Sequence, residues 1–315
     1  MAEVVMRTRS VTKRYGAFAA VEGLSLEVEQ GDIFALVGQN GAGKTTLLKL
    51  VCGLTPPTSG SVELFGGSSP GELERARRRT GSIIETPGFF PYLSARQNLN
   101  YYRIQRGIRG ESCVEKALRF VGLEDTGKKK FKSFSLGMKQ RLGLALAIQD
   151  APELLVLDEP INGLDPMGIR EFREILLRLN RERGTTILIS SHILGELSRI
   201  ATKYGFIRNG RLIECDSAAA LEQKCRVSLR FEVDDAQKAA NVLRDRLSLG
   251  PVQILGGRTL QLSGDVDRPE LAVKALVESG VMVSQAFRSG KSLESYFVDL
   301  IGGKNIASHD MRGSV

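Results

Sequence analysis

Hydrophobic positions follow two different rhythms along the chain. Over Thr8–Val28 apolar and polar residues alternate, most plainly in Val21–Val28 (VEGLSLEV), which predicts two short strands around a turn. Ile33–Val37 (IFALV), Leu154–Leu157 (LLVL) and Thr186–Ile189 (TILI) are instead short continuous apolar runs, the pattern of strands buried on both faces. Helical periodicity covers Leu136–Gln149 and Ile169–Arg183. Buried strands alternating with helices predict a parallel sheet in an α/β layered domain. From 70 to 130 the rhythm is mainly helical, clearest at Val114–Val121 and rich in arginine. That predicts a helical subdomain, over about residues 85–150, inserted into the α/β core.

Beyond residue 220 the pattern changes. It predicts a strand at Val227–Val233, a helix at Ala236–Leu247 and strands at Val252–Leu255 and Thr259–Leu262 around Gly256-Gly257. A helix at Glu270–Glu278 and a strand at Val281–Ala286 follow. The order βαββαβ is that of a ferredoxin-like α+β domain. The expected division is therefore residues 1–220 and 221–303, with a last helix over Leu293–Leu300 and a weakly apolar tail at 304–315 that includes His309.

Composition narrows the class without naming a function. Apolar residues make up 42% and charged residues 25% of the 315, which fits a globular chain and excludes a disordered, collagenous or disulfide-framed one. The longest apolar stretches, Leu142–Ile148 and the one around Ile187–Ile189, fall short of the ~18 residues a membrane helix needs. Met1–Ser10 has no signal-peptide core, so the expectation is a cytosolic protein. Cys52, Cys113, Cys215 and Cys225 form no C-x-x-C pair and read as reduced, mostly packed thiols rather than a zinc or dithiol site. Lys and Arg outnumber Asp and Glu by 44 to 36, a net +8 that suits a nucleotide, anionic lipid or nucleic acid. The basic clusters Arg75–Arg79 and Lys128–Lys132 are short and read as solvated faces, so nucleic acid is not an expected partner.

Gly38-Gln-Asn-Gly-Ala-Gly-Lys-Thr45 fits G-x-x-x-x-G-K-[ST] and stands between a buried strand and a helix, where a phosphate loop belongs. The glycines let the backbone turn and aim amide N–H groups inward, and the helix N-terminus adds positive potential. Lys44 reaches the outer phosphates and Thr45 offers a hydroxyl to Mg²⁺. The candidate nucleotide-binding residues here are Gly38, Asn40, Gly41, Ala42, Gly43, Lys44, Thr45 and Thr46. Asp158-Glu159-Pro160 closes the Leu154–Leu157 strand, at the end of a parallel sheet where ligands bind. Asp158 is the expected Mg²⁺ holder and Glu159 the group that polarises water toward the γ-phosphate. Taken alone, the pair reads better as a helix-capping acidic dipeptide, and the phosphate loop beside it favours the metal-and-water reading.

With these motifs, residues 1 to about 220 resemble the nucleotide-binding subunit of an ATP-binding cassette (ABC) transporter, a P-loop NTPase. Phe134-Ser-Leu-Gly-Met-Lys-Gln-Arg141 is similar to the family signature, Gly163-Leu-Asp-Pro166 to its D-loop, and Ser190-Ser-His192 to its switch histidine. Tyr15 matches the aromatic that stacks on adenine, although by sequence it is equally an edge-strand packing residue. The resemblance implies Glu159, His192 and Lys44 as the catalytic set. It implies that Ser135 and Gly137 contact the ATP of a partner subunit, where Ser135 alone reads as a plain helix N-cap. ATP and Mg²⁺ are the implied cofactors.

Two motifs depart from the commonest family pattern. Leu136 and Met138 stand where glycine and glutamine are usual, and Glu85 stands at the Q-loop glutamine. Glu85 followed by PGF resembles the bacitracin-resistance and lantibiotic-immunity branch of bacterial exporters. It is a third candidate Mg²⁺ ligand beside Thr45 and Asp158, or else a tolerated isostere of glutamine. The implied partners are a second copy, paired head to tail, and a separate membrane permease whose loop is received at Phe89–Leu99. The implied location is cytoplasmic, peripheral on the inner face of the membrane, and the implied cargo is a peptide antibiotic, lantibiotic or similar amphiphile. A competing reading is a soluble ABC ATPase acting on nucleic acid or ribosomes. Such relatives commonly carry a second cassette or a coiled-coil or zinc insertion, and none appears here. A third reading, ATP as a slow regulatory switch, fits poorly with a complete set of motifs. For the C-terminal domain, analogy suggests a dimer-stabilising or regulatory role.

Overall fold

The computed structural model describes residues 3–85, 88–225, 228–247, 251–263, 269–289 and 293–302. Two compact units divide the chain, Met1–Ala218 and Ala219–Val315. The expected tail at 304–315, with His309, and the expected strand residue Val227 lie outside the described residues.

The first unit starts with β1 (Val4–Tyr15) and β2 (Phe18–Glu29), an antiparallel hairpin in which Tyr15 faces Phe18 across a two-residue turn. Each has 12 residues, longer than the alternation predicts, because register shifts at Thr8/Val11 and Val11/Lys13 interrupt the period of two. β3 (Ile33–Val37) is buried at every position and leads into α1 (Lys44–Val51). β4 (Ser59–Leu64) joins the other side of β1, completing a three-stranded sheet in the order β2-β1-β4. Then come α2 (Pro70–Arg78), capped by Ser69 and Glu72, and β5 (Thr80–Ile83). β5 corrects the helical expectation for 70–130. Its sequence TGSI is short and weakly apolar, yet it pairs in parallel with the strand Leu154–Asp158. A Cβ at Gly81 would lie 2.2 Å from the Ala147 carbonyl oxygen, so this place admits only glycine.

Between β5 and its sheet neighbour sit α3 (Ala95–Gln105), α4 (Ser112–Phe120) and α5 (Leu136–Ala147). Their inward residues Leu99, Val114, Leu118, Leu142 and Leu146 are buried. β6 (Leu154–Asp158), α6 (Pro166–Arg183), β7 (Thr186–Ser191), the single turn α7 (Leu194–Leu197), β8 (Lys203–Arg208) and β9 (Arg211–Ser217) complete the unit. The main sheet runs β5-β6-β7-β3-β8-β9, parallel except for β9. Sequence reasoning assigned no strands to β4, β8 or β9. β4 is half polar and β9 alternates between half-exposed and exposed positions. One buried cluster links Leu24, Leu26 and Val28 of β2, through Leu47, Leu48 and Val51 of α1, to Phe34, Val156 and Leu188 of the main sheet. The phosphate-loop helix is thus the filling between two sheets.

The second unit contains α8 (Ala218–Cys225, entered at the boundary), β10 (Ser228–Val233), α9 (Ala236–Leu247), β11 (Val252–Gly256), β12 (Thr259–Ser263), α10 (Pro269–Glu278), β13 (Val283–Ser289) and α11 (Leu293–Gly302). The sheet is antiparallel in the order β11-β12-β10-β13, the ferredoxin-like arrangement. Leu229, Phe231, Leu260 and Leu262 pack on Ala239, Leu243, Ala272 and Leu276. β13 begins two residues later than the sequence predicts. Gly280 takes φ 69° and the Val281 N–H donates to the Leu276 carbonyl at 3.0 Å, so Val281 closes α10 rather than opening the strand.

No disulfide joins the four cysteines; Cys225 is buried, Cys52 and Cys113 are half-buried and Cys215 is exposed, which corrects the expectation of mostly packed thiols. Cys215 falls at an exposed position of β9, a strand the apolar pattern did not mark.

Candidate nucleotide site at the strand ends

Parallel pairing fixes where the motifs meet. Val37 pairs with Ser191, Leu36 with Ser190, and Ser190 with Asp158, so the carboxyl ends of β3, β7 and β6 lie in one row. The loop from Gly38 to Gly43 leaves β3 at that row. A Cβ on Gly38 would stand 2.5 Å from the Ile207 carbonyl oxygen, and one on Gly43, at φ 108°, 2.4 Å from that of Ala20. These two glycines let the loop lie against the neighbouring backbone. Gly41 also has positive φ, at 80°, while Asn40 is exposed, Ala42 buried and Thr46 half-buried beside them.

Lys44 opens α1 and is only 5% exposed. Its Nζ donates to the carbonyls of Gly38 at 2.7 Å and Gln39 at 3.1 Å, and stands 3.1 Å from Glu159 Oε1. Glu159 Oε2 lies 2.7 Å from His192 Nδ1. A buried ammonium with no counter-charge is costly, and Glu159 supplies that charge. Glu159 itself takes φ 46°, the left-handed region that residues with a Cβ seldom adopt. That kink turns its carboxylate from the end of β6 toward Lys44 and His192.

Asp158, the preceding residue, faces the other way along the row. Its Oδ2 accepts from Thr45 Oγ1 at 2.8 Å and its Oδ1 from Ser190 Oγ at 2.7 Å. Ser190 also accepts the Glu159 N–H at 3.0 Å. This fully buried serine therefore positions both carboxyl-bearing residues, a role sequence reasoning missed, although Ser190 stands two residues before His192 at the end of a buried strand. Thr45 and Asp158 suit a magnesium ion: both offer hard oxygen donors already within hydrogen-bond distance of each other. Among the described residues no group of three or more His, Cys, Asp or Glu side chains forms a protein cage. Few protein ligands, with the rest from phosphate and water, is how Mg²⁺ is usually held.

Other predicted positions lie apart from this row. Tyr15, at the end of β1, is 52% exposed rather than packed, with Lys13 Nζ 5.1 Å from its ring centre. Ser135 is the N-cap of α5 and accepts the Met138 N–H at 3.3 Å. Leu136, unusual in the signature, packs on the D-loop: its Cδ2 is 3.2 Å from where a Gly163 Cβ would be, and Leu164 approaches Gly137. Asp165 caps α6 through the Gly168 N–H. Glu85 Oε1 accepts from Lys49 Nζ at 2.7 Å. Lys49, on α1, is a second participant that sequence reasoning did not single out. Near His192, burial pushes the Glu196 carboxyl above its ordinary pKa.

Comparison with known proteins shows the family. Residues 21–162 match the family described as ABC transporter. The chain is 40% identical over 302 residues to the bacitracin transport ATP-binding protein BcrA of Bacillus licheniformis, covering 96% of this chain and 99% of that one. It is 41% identical over 231 residues to the lantibiotic transport ATP-binding protein SrtF of Streptococcus pyogenes, covering 72% and 99%. A solved structure of an ATP-binding subunit of an ABC transporter superposes with a TM-score of 0.62 at 28% identity, over 70% of this chain and 92% of the other. With its ATP-binding motifs gathered at the carboxyl ends of a parallel sheet, and relatives matched over nearly their whole length, the chain belongs to the ABC transporter family as one of its ATP-hydrolysing subunits.

Proposed function

We infer that the chain hydrolyses ATP at the row formed by β3, β6 and β7, as a subunit that powers a separate membrane permease. The observation that carries this reading is the double engagement of Glu159, by Lys44 at 3.1 Å and by His192 at 2.7 Å. An arriving γ-phosphate competes with Glu159 for the Lys44 ammonium, and charge-assisted bonds to phosphate are strong. Glu159 then keeps only His192, which holds it through Nδ1 and has Nε2 left for the phosphate or the attacking water. The water oxygen bonds to the γ-phosphorus as its proton passes to Glu159, and the bond to the β–γ bridging oxygen breaks. Thr45 and Asp158 would hold Mg²⁺, which when bound neutralises charge spreading over the phosphates. Phosphate contacts come from Lys44 and the amides of Gly38, Asn40, Gly41, Ala42, Gly43, Thr45 and Thr46, and Tyr15 offers an open ring face to adenine.

Ser135 and Gly137 sit at the start of α5 and are not part of that row. Their place in the reaction is with the nucleotide of a second copy, the two copies pairing head to tail. The permease contact falls on the helical subdomain, where Phe90, Tyr92, Tyr101 and Ile104 are exposed and Phe90 and Tyr101 meet edge to face at 4.6 Å. Among the described residues no helix is long and apolar enough to cross a membrane, so the work of translocation falls to that permease. On this reading the subunit rests on the cytoplasmic face of the membrane. The names of BcrA and SrtF support a peptide antibiotic, of the bacitracin or lantibiotic kind, as the exported cargo. The test is a tagged pull-down from detergent-solubilised membranes. A polytopic membrane protein in stoichiometric yield, crosslinking through cysteines placed at Phe90 or Tyr92, is the expected result. Recovery with RNA or ribosomal proteins in its place would contradict it.

A further inference from the structure

The nucleotide row takes up the carboxyl ends of the parallel strands, and a second feature lies at the other end of the same sheet. A cavity of about 290 Å³ opens where Asp150 and Ala151 lead into β6 and where Arg183 ends α6 ahead of β7. Its other wall comes from the helical subdomain, with Arg109 ahead of α4 and Ser112 and Lys116 in the first two turns of that helix. Three cations therefore meet at one opening, and Asp150 is the one carboxylate among the lining residues. The acids at the start of α4 are already engaged: Glu111 pairs with Arg103 at 3.8 Å and Glu115 with Arg96 at 2.5 Å. Asp150 also acts on Arg106, whose guanidinium is pushed below the usual arginine pKa by burial. Among the described residues, Arg109, Lys116 and Arg183 have no carboxylate within ion-pair distance. Cations gathered without counter-charge attract an anion.

Arg183 is held in place for this. Its guanidinium carbon lies 4.1 Å from the Phe120 ring centre, with that of Arg178 at 4.2 Å from the same ring. Burial, and to a smaller degree the like charge of Arg178, lower the Arg183 pKa, and an anion beside it offsets both. A second observation concerns a neutral group. Gln149 lines the cavity and is 5% exposed; its Nε2 donates to the Leu99 carbonyl at 3.2 Å, while its Oε1 is buried with no donor. A buried acceptor without a partner is uncommon and calls for a hydroxyl or amino group. At α4, which begins at Ser112, the first backbone amides have no acceptor within the helix and suit an anion as well. The volume is at the small end of ligand pockets, so the occupant is compact. We propose that this cavity binds a phosphate ester that carries a hydroxyl group, its phosphate set among Arg109, Lys116 and Arg183 and its hydroxyl donating to Gln149 Oε1. Guanidinium forks and an ammonium are the groups that hold phosphate most firmly. An ester bound there touches α4 and the end of α6 together, and so ties the helical subdomain to the α/β core at a place remote from the nucleotide row.

The test is a calorimetric titration of the full chain, with excess ADP and Mg²⁺ present throughout so that the phosphate loop is filled. The probes are glucose 6-phosphate, glucose at the same concentration, and vesicles of phosphatidylglycerol, whose headgroup is also a phosphate ester with hydroxyls. Glucose 6-phosphate is expected to bind and glucose is not. Lys116→Gln and Arg183→Gln, one from each wall, are each expected to weaken the binding about five- to ten-fold, with melting temperatures as a check of folding. Lys116→Arg, which keeps the charge, stays near wild type. Binding of glucose 6-phosphate gives the source of the phosphate as a free ester, and binding of the vesicles alone, with the same loss in both variants, gives it as a lipid headgroup. Affinity unchanged in Lys116→Gln and Arg183→Gln, equal binding of glucose, or no binding of either ester overturns the proposal and leaves the nucleotide reading untouched.

Discussion

The two units are both sheets covered by helices, but their interiors differ. In the first, Lys44, Asp158, Ser190 and Ser191 are buried at the ends of β3, β6 and β7, whereas in the second Ser228 is the one polar residue buried among the described residues. Burying charge costs free energy even when it is paired, so a row of charged and hydroxyl groups inside an otherwise apolar layer marks where chemistry is prepared. Among the described residues, the second unit's interior around Phe231 is almost wholly aliphatic and aromatic, whereas the first unit's carries charge and hydroxyl groups at its strand ends.

That contrast can be broken by substitution, and the largest effect is expected at Lys44. Lys44→Ala leaves Glu159 without its ammonium and the phosphate without its counter-charge. Breaking such a buried pair is worth ~3–5 kcal/mol, so ATP affinity should fall by at least ~100-fold in a binding titration. Phe231→Ala, fully buried in the second unit, should cost ~3–5 kcal/mol of that unit's stability by denaturant unfolding while nucleotide affinity stays within about two-fold. A parallel loss of nucleotide binding would show that the two interiors are not separate after all. Ser190→Ala strands one oxygen of Asp158 and the N–H of Glu159, and should cost ~1–3 kcal/mol in thermal unfolding and lower turnover as well. Loss of stability with unchanged turnover would reduce Ser190 to a core residue.

The smallest effect is expected away from the site, at Arg79, which makes two 2.6 Å bonds to Glu153 and lies 3.9 Å from the Phe65 ring centre. Both partners are about half exposed, so solvent screening leaves Arg79→Ala costing about 0.5 kcal/mol. The Arg79 bonds hold the Glu153 carboxyl below its ordinary 4.5. A lowered folded-state pKa means the contribution is full above the unfolded value and is lost as pH falls through the lowered one. The wild-type and Arg79→Ala unfolding curves should therefore converge as pH falls through that lowered value, which lies below 4.5.

Much of the first unit was legible because its chemistry and its strands coincide. IFALV, LLVL and TILI are short hydrophobic runs, and each is followed at once by a residue of the site row, Gly38, Asp158 and Ser190. β5, β4 and β9 were not legible, since TGSI and SGSVEL hold their places by pairing and by glycine contacts with neighbours distant in sequence. The same holds for the links between motifs. Sequence placed Glu159 and His192 in separate motifs, but only the register of β6 and β7 brings Nδ1 to within 2.7 Å of the carboxylate. Lys49 carries no motif, and its partnership with Glu85 depends on how the end of β5 passes α1. In the second unit the two strands flanking Gly256-Gly257 stood out from alternation, whereas the late start of β13 depends on a helix-closing bond at Val281 that periodicity does not register.

In the proposed reaction Glu159, released from Lys44 by the arriving phosphate, takes the proton of the attacking water. The most direct measurement is phosphate release by Glu159→Gln with ATP and Mg²⁺, together with the oligomeric state of the same sample. Turnover lowered by ~10²–10⁴-fold, retained ATP binding and an accumulated ATP-bound dimer are the expected results. Hydrolysis at the wild-type rate in that variant would contradict it.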